Sequence, residues 1–199
     1  MKKILMMVAV MALVSTASFA QTFGVKAGVN FASLTGDDAE GMDGRTSMVF
    51  GGFAKFQVSE KFAFQPELLY SMQGATTSES FWIGEDDVDV DVTVKLDYLN
   101  IPLMAKYYVT EGFSLQAGPQ VGFLLSAKAK VEAGGEEEEE DIKDDFKGLD
   151  FGLNFGAGYE LESGLGFDAR YNLGLSNIGD HDEADGGNGV FQIAVSYSF

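Results

Sequence analysis

The chain has 199 residues, including 25 glycines, 17 phenylalanines and no cysteine, and its formal net charge is −18. This acidity argues against nucleic acid as a partner, because phosphate binding needs a basic surface. The lack of cysteine excludes disulfides, thiolate nucleophiles and cysteine-ligated metals. Hydrophobic residues nevertheless make up 46% of the chain, which is too much apolar content for a disordered acidic protein.

The first twenty residues have the pattern of a secretory signal peptide. Two lysines precede an apolar run over residues 4–14, and small residues lead to a cleavage point after Ala20. A short membrane anchor is the alternative, but this run is shorter than the roughly 20 residues that a helix needs to cross a bilayer. We therefore predict a signal peptide over residues 1–20 and one domain over residues 21–199.

The rest of the chain alternates apolar and polar residues with a period of two, which is typical of β-strands and not of helices. The alternation is complete in the first strand and in the last three, and it is less regular in the four between them. The eight predicted strands, in chain order, are residues 23–31, 48–58, 62–72, 94–107, 113–125, 151–161, 165–175 and 191–199.

The fourth predicted strand changes its apolar phase. Leu96 and Tyr98 occupy even positions, whereas the apolar residues that follow occupy odd positions. One phase change within a strand is what a β-bulge produces, so we predict a bulge near Tyr98. Prolines count against regular pairing because they lack a ladder donor. Three of them lie within predicted strands: Pro66, Pro102 and Pro119.

The spacers between strands alternate in length. Short spacers surround Glu60, Glu111 and Ser163. The long spacers are residues 33–46, 74–92, 127–148 and 177–189. This alternation predicts an all-β, eight-stranded up-and-down antiparallel barrel with both chain ends on the short-turn side. Strands of about 9–12 residues also suit a tilted crossing of a membrane.

The charges of the polar face favour a transmembrane barrel over a soluble secreted one. A soluble exterior normally carries many lysines and glutamates, but here the polar face is rich in glycine and its charges are few and balanced. Such charges suit an enclosed interior, where each ion needs a partner. Aromatic residues also gather near the strand ends, as in membrane barrels. The balanced charges are Lys26, Lys55, Lys95, Lys106 and Arg170 against Glu67, Asp97, Asp150, Glu160 and Asp168.

Several of these strands carry distinct sequence motifs. They are QPELLYS at 65–71, YLNIPL at 98–103 with KYY at 106–108, GPQVG at 118–122, and RYNLGL at 170–175. Together they resemble the PorT-type outer-membrane β-barrel family, which is common in the Bacteroidota. The resemblance implies a small barrel in the bacterial outer membrane and, in one branch of the family, a role in protein secretion. It also implies that the barrel-assembly machinery recognises the C-terminal segment ending at Phe199.

Most of the 31 acidic residues lie in the four long spacers, which predicts four acidic extracellular loops. A solvated, self-repelling surface explains this charge. A Ca²⁺ or Mg²⁺ site that bridges to anionic lipopolysaccharide is the more specific hypothesis, because carboxylate oxygens coordinate hard cations. Its weak candidates lie in the last spacer and lack the EF-hand spacing: Asp180, Asp182, Glu183 and Asp185.

Two interior ion pairs are predicted, one between Glu67 and Lys106 and the other between Asp168 and Arg170. A structural plug in a filled lumen is the favoured interpretation, because eight strands enclose room only for side chains. A gate or a conduction path is the alternative. His181, the only histidine, has no nucleophile at a recognisable spacing, so we predict neither an enzyme nor a cofactor.

These patterns predict a monomeric protein of the bacterial outer membrane with a structural or surface-interaction role, such as envelope integrity, adhesion or recognition. Its expected partners are outer-membrane lipid, lipopolysaccharide and the barrel-assembly machinery. A narrow channel or a secretion or transport accessory is the first alternative. A lipid-modifying enzyme at the barrel rim, with His181 as general base, is the second and least favoured.

Overall fold

The computed structural model describes residues 21–35, 42–83, 86–133, 136–179 and 186–199. The predicted signal peptide lies outside these residues. The strands are β1 (Gln21–Thr35), β2 (Asp43–Ser59), β3 (Phe62–Ile83), β4 (Asp86–Tyr108), β5 (Phe113–Ala133), β6 (Glu136–Asp141), β7 (Leu149–Glu160), β8 (Leu165–Gly174) and β9 (Gly187–Ser198). A 3-10 turn covers Lys143–Asp145. None of the described segments forms a helix long and apolar enough to cross a membrane.

Eight of the strands form a closed antiparallel ring in the order β1-β2-β3-β4-β5-β7-β8-β9, and β9 pairs back with β1. This closure confirms the predicted eight-stranded up-and-down barrel. Three tight turns lie at one end of the ring together with Gln21 and Phe199, and we call this the turn end. The longer connections lie at the opposite end, which we call the loop end.

Apolar side chains point out of the barrel and polar side chains point into it. Phe155 and Val195 are each 45% exposed on the outside, whereas Asp168 and Arg170 are buried inside. Aromatic rings of neighbouring strands also contact one another on the outer face, as in the Phe155–Tyr171 pair, with ring centroids 5.6 Å apart. An apolar exterior around a polar interior is the arrangement that a bilayer requires of a barrel.

The interior changes from polar to apolar toward the loop end, and this corrects one prediction. From Leu96 to Lys106, β4 keeps its even-numbered residues inside, and Leu96, Tyr98 and Asn100 are all buried. Lys95 and Asp97 therefore lie on the outer face and do not belong to the interior charges. The apolar residues of β4 switch from odd to even positions toward the loop end because the interior itself becomes apolar there. The alternation of inward and outward side chains along this part of β4 is unbroken.

The predicted bulge exists, but it lies in the neighbouring strand. The register between β4 and β5 shifts at Asp97 and Tyr98, because β5 has one extra residue, Leu125. Leu124 and Ala127 are consequently both buried although they are three residues apart. The change between inward-facing and outward-facing positions that the sequence predicts for β4 therefore takes place in β5.

Two of the long spacers are largely strand and not loop. β2 pairs with β3 only as far as Thr76, and β7 pairs with β5 only as far as Phe123. β3, β4 and β5 continue beyond these points, with Ile83 opposite Asp86. β6 pairs with the extended part of β5, with Ala133 opposite Glu136. We call this four-stranded extension the projecting sheet. It comprises residues 77–83, 86–95, 126–133 and 136–141.

Candidate functional site

Four charged side chains meet at the centre of the lumen. Arg170 on β8 donates two hydrogen bonds of 2.8 Å to the carboxylate of Glu67 on β3. Lys26 on β1 donates to the same carboxylate at 3.0 Å and lies 3.3 Å from Asp168. We call Lys26, Glu67, Asp168 and Arg170 the central ion cluster. All four are at most 5% exposed, and their charges cancel.

Neutral amides complete the hydrogen bonding of this cluster. Gln116 donates to Asp168 at 2.5 Å and accepts from the Arg170 guanidinium at 2.6 and 3.0 Å. Gln65 donates to Glu67 at 2.7 Å. Because buried ions are stable only when both charge and hydrogen bonding are satisfied, these amides are part of what holds the cluster together.

Glycines of β7 make room for the charged side chains of β8. Gly156 pairs with Arg170, and Gly158 pairs with Asp168. A Cβ atom at Gly158 would lie 2.3 Å from Gln116 Nε2 and 2.7 Å from Asp168 Oδ1. The glycine-rich polar face of the sequence therefore has a steric cause, since long charged side chains need small neighbours in a narrow barrel.

The structure pairs the predicted interior ions differently. Glu67 binds Arg170 and Lys26, whereas Lys106 binds Glu160 at 2.5 Å. Lys106 lies opposite Ala63, which is four residues closer to the turn end than Glu67. Asp168 and Arg170 are 3.6 Å apart, so they belong to one cluster. Lys26 was recognised only as a balancing charge, because a partner on another strand cannot be read from local alternation.

The turn end of the lumen carries a second cluster. Glu160 accepts hydrogen bonds from Lys106 at 2.5 Å, from Lys55 at 2.6 Å and from the Tyr108 hydroxyl at 3.2 Å. The Glu160 side chain is 21% exposed and lines a cavity of about 640 Å³ that opens at the turn end. This end of the lumen is therefore a polar vestibule.

An apolar cluster closes the loop end of the lumen. We call it the apolar cap, and it consists of Leu96, Tyr98, Leu124, Ala127 and Ile178, each at most 6% exposed. Ile142 and Phe146 pack against it from the segment that follows β6. The carbonyl of Ile178 accepts a backbone hydrogen bond from Lys147 at 2.8 Å, which holds the two connections over the barrel.

Between the cap and the central ion cluster the lumen is lined by amides. Asn30 donates to Ser71 at 2.9 Å, and Asn154 donates to Gln120 at 3.1 Å. Closer to the cap, Asn188 donates to Asp150 at 3.0 Å. Charged, amide and apolar layers thus follow one another from the turn end to the loop end.

The acidic residues of β6, Glu136–Asp141, are all exposed on the projecting sheet. Glu139 on β6 accepts hydrogen bonds from Lys128 at 2.5 Å and from Lys95 at 2.8 Å. These hydrogen bonds, first from Lys128 and then from Lys95, lower the pKa of Glu139 to about 2. The same contact with Glu139 raises the pKa of Lys128. The acidic strand β6 is therefore attached to β5 by ion pairs as well as by its backbone.

The remaining sequence candidates cannot be placed. Asp180, Asp182, Glu183 and Asp185, proposed for a divalent cation, and His181 lie outside the described residues. Within the described part of the chain, no group of three or more histidine, cysteine, aspartate or glutamate side chains is arranged to hold a metal ion.

Comparisons with known proteins agree with this architecture. Residues 19–180 match a family described as outer membrane protein beta-barrel domain. The chain is similar to Neisserial surface protein A, with 12% identity and a TM-score of 0.52 over 89% of this chain and 97% of that chain. Ail, the attachment invasion locus protein of Yersinia pestis, gives 15% identity and a TM-score of 0.48 over 89% and 98%. No curated protein matches the chain.

Proposed function

The chain belongs to the family of outer membrane proteins with a β-barrel domain and is located in the bacterial outer membrane, and we propose that it is a closed barrel that acts through its loop end. Its role is structural or surface-interacting, in envelope integrity, adhesion or recognition. It contacts outer-membrane lipid through its apolar exterior. It contacts lipopolysaccharide through the part of that exterior that lies next to the loop end.

The observation that supports this proposal is the succession of side-chain clusters across the lumen. A solute entering from the turn end would meet Glu160 and its lysines, then the central ion cluster, then the amide layer and the apolar cap. Parting a buried ion pair leaves uncompensated charges and costs about 3–5 kcal/mol. The lumen therefore supports a plug better than a channel or a transport accessory.

The projecting sheet is the surface that supports an interaction role. Outer-membrane barrels have short turns on the periplasmic side and long connections outside the cell. By that rule the projecting sheet and its acidic strand β6 (Glu136–Asp141) face the exterior. β5 contributes residues 126–133 to this sheet, which is about 26 Å of strand. An ordered acidic sheet of this length is suited to contact a cationic partner, or lipopolysaccharide through divalent cations.

Two measurements test the proposal. Purified barrel in planar bilayers should show no porin-like conductance, and Lys106→Ala should not create one. In cells, a variant in which residues 128–141 are replaced by an Asn-Gly turn should keep its heat-modifiable gel migration and its resistance to detergent, but should lose surface attachment. Steady conductance of the wild type would instead favour the channel alternative, and unchanged attachment of the variant would contradict a role for the sheet.

We further propose that the chain is of the PorT type and that it is monomeric. The QPELLYS and YLNIPL motifs support the first statement, since both lie in paired parts of β3 and β4. Closure of the ring supports the second, because paired strands leave no open barrel edge for a second copy. Light scattering of the detergent complex should give one chain per particle, and a dimer would refute the second statement.

The barrel-assembly machinery is the proposed partner of the C-terminal segment. Along β9 the outward side chains Phe191, Ile193, Val195 and Tyr197 are 43–50% exposed, and Phe199 is 73% exposed. Phe199→Ala should lower the amount of barrel assembled in cells. Refolding of the same variant in detergent should be unchanged, because the backbone hydrogen bond from Phe199 to Phe23 remains. Equal loss in both settings would indicate a folding defect instead.

Catalysis is not part of the proposed function. His181 is the one residue that we considered as a general base. A strain carrying His181→Ala should therefore have the lipid A profile of the wild type. A changed profile would favour the lipid-modifying alternative.

A further inference from the structure

One carboxylate in the lumen has no cationic partner among the described residues. Asp150 on β7 is 4% exposed, and its Oδ2 accepts a hydrogen bond from Asn188 Nδ2 at 3.0 Å. Its Oδ1 has no hydrogen-bond partner. The other lumen carboxylates, Glu67, Glu160 and Asp168, each lie within 3.3 Å of a lysine or arginine nitrogen. A buried carboxylate of this kind must be protonated or must bind a cation.

Among the described residues, the amides between the apolar cap and the central ion cluster have a surplus of acceptors. The side-chain oxygens of Asn30, Gln73, Asn172 and Asn188 are buried without partners, although the nitrogen of each amide donates a hydrogen bond. Only one buried amide nitrogen in this layer, Nε2 of Gln192, lacks an acceptor. Unmet acceptors that outnumber unmet donors indicate a missing positive or hydrogen-donating species.

Gly122 leaves room for one further oxygen atom, Asn100 Oδ1, on the same side of the lumen as Asp150. Gly122 points into the lumen on β5 and pairs with Asn100 on one side and with Asp150 on the other. A Cβ atom at Gly122 would lie 2.7 Å from Asn100 Oδ1, 3.3 Å from the Tyr98 ring and 3.5 Å from Asp150 Cβ. Glycine therefore allows the Asn100 amide to lie beside Asp150, under the apolar cap.

We propose that Asp150 binds one alkali cation, Na⁺, with the amide oxygens of Asn188 and Asn100 as further ligands. Oxygen ligands suit hard cations, and a single carboxylate balances a single positive charge. Lys55 and Lys106 share one carboxylate, Glu160. Neither lysine can balance the charge of Asp150, because both lie at the turn end, beyond the central ion cluster. The cation ties β4, β7 and β9 together where the barrel meets the cap.

The test is to refold the full barrel in detergent in either sodium chloride or choline chloride at equal concentration. Wild type should unfold about 5 °C higher in sodium, as expected for a ligand well above its dissociation constant. After desalting it should retain about one ²²Na⁺ per chain. Asp150→Asn should lose both effects, while Asp97→Asn, on the outer face, should keep them.

Equal unfolding temperatures of the wild type in the two salts, with no retained sodium, would overturn the proposal in favour of a protonated Asp150. This comparison needs no variant, so it holds even if Asp150→Asn does not fold. Asn188→Asp supplies a second test, because two carboxylates should shift the preference from Na⁺ to Ca²⁺. A folded Asn188→Asp barrel that responds to neither ion would also contradict the site.

Discussion

Arg170 and Glu67 brace opposite walls of the barrel. The two residues are 103 positions apart in the chain and form two hydrogen bonds of 2.8 Å. β8 and β3 are four steps apart in a ring of eight strands, so they lie on opposite sides of the lumen. This pair therefore fixes the width of the barrel, which the hydrogen bonds between neighbouring strands do not do.

Replacing one member of this brace should be strongly destabilising. Glu67→Gln removes the carboxylate that binds Arg170 and Lys26, and leaves two buried cations with Asp168 as their one carboxylate in the central ion cluster. We expect the free energy of unfolding to fall by about 3–5 kcal/mol, because one buried partner is removed and the others remain. Urea titration of barrels in lipid vesicles measures this change.

The matched control is Glu60→Gln, the same substitution at an exposed position in the first tight turn. It should change the free energy of unfolding by no more than about 0.5 kcal/mol. If Glu67→Gln behaved like Glu60→Gln, the central ion cluster would not brace the barrel.

Gly158 should be intolerant of even one added methyl group. A Cβ atom there would press on the hydrogen bond between Gln116 and Asp168. We expect Gly158→Ala to cost about 1–3 kcal/mol, as is usual when a packed interior is overfilled. Gly148→Ala is the control, since a Cβ atom at Gly148 would meet no atom within 4 Å. Equal unfolding midpoints for the two variants would refute the steric role of Gly158.

The sequence predicted the barrel well because lipid imposes a simple rule on each strand. Outward residues in the lipid-facing belt must be apolar, so the alternation of Phe151, Leu153 and Phe155 reports the outer face directly. Inside the barrel no such rule holds. The interior is polar around Arg170 and apolar around Tyr98, and a local pattern cannot tell an apolar interior from a change of strand phase.

The projecting sheet was missed for a different reason. Residues 86–92 read DDVDVDV, which is regular alternation, but they lie in a long spacer that we predict to be an acidic loop. The pairing of β4 with both β3 and β5 shows that alternation was the stronger signal. Glu139 could not be paired from sequence, because its partners Lys95 and Lys128 become neighbours only through the β4–β5 register.

A cation placed on the outer face should destabilise the barrel according to its depth. Ile193 lies at the middle of β9 and Tyr197 lies four residues closer to the turn end, and both side chains are 50% exposed. Ile193→Arg should cost about 2–4 kcal/mol in lipid vesicles, whereas Tyr197→Arg should cost less than about 1 kcal/mol. Unfolding of both variants by urea measures the difference, and equal costs would contradict a lipid-facing position for Ile193.

The attachment of β6 to β5 should depend on pH. Hydrogen bonds from Lys128 and Lys95 lower the pKa of Glu139 from 4.5 to about 2. A carboxyl group whose pKa is lower in the folded state stabilises that state above its unfolded pKa, and this stabilisation is lost as pH falls through the folded value. Amide protection in residues 128–141 should therefore be constant above about pH 5 and should decrease toward pH 2.

Hydrogen exchange measured by mass spectrometry reports this protection, after correction for the intrinsic pH dependence of exchange. Protection in β8 (Leu165–Gly174), inside the ring, serves as the internal reference and should change less over the same range. Glu139→Gln should already show at pH 7 the weaker protection that the wild type reaches at low pH, because the amide cannot carry the charge that Lys128 and Lys95 bind. A Glu139→Gln variant that kept the wild-type pH profile would show that other carboxylates of β6 control its attachment to β5.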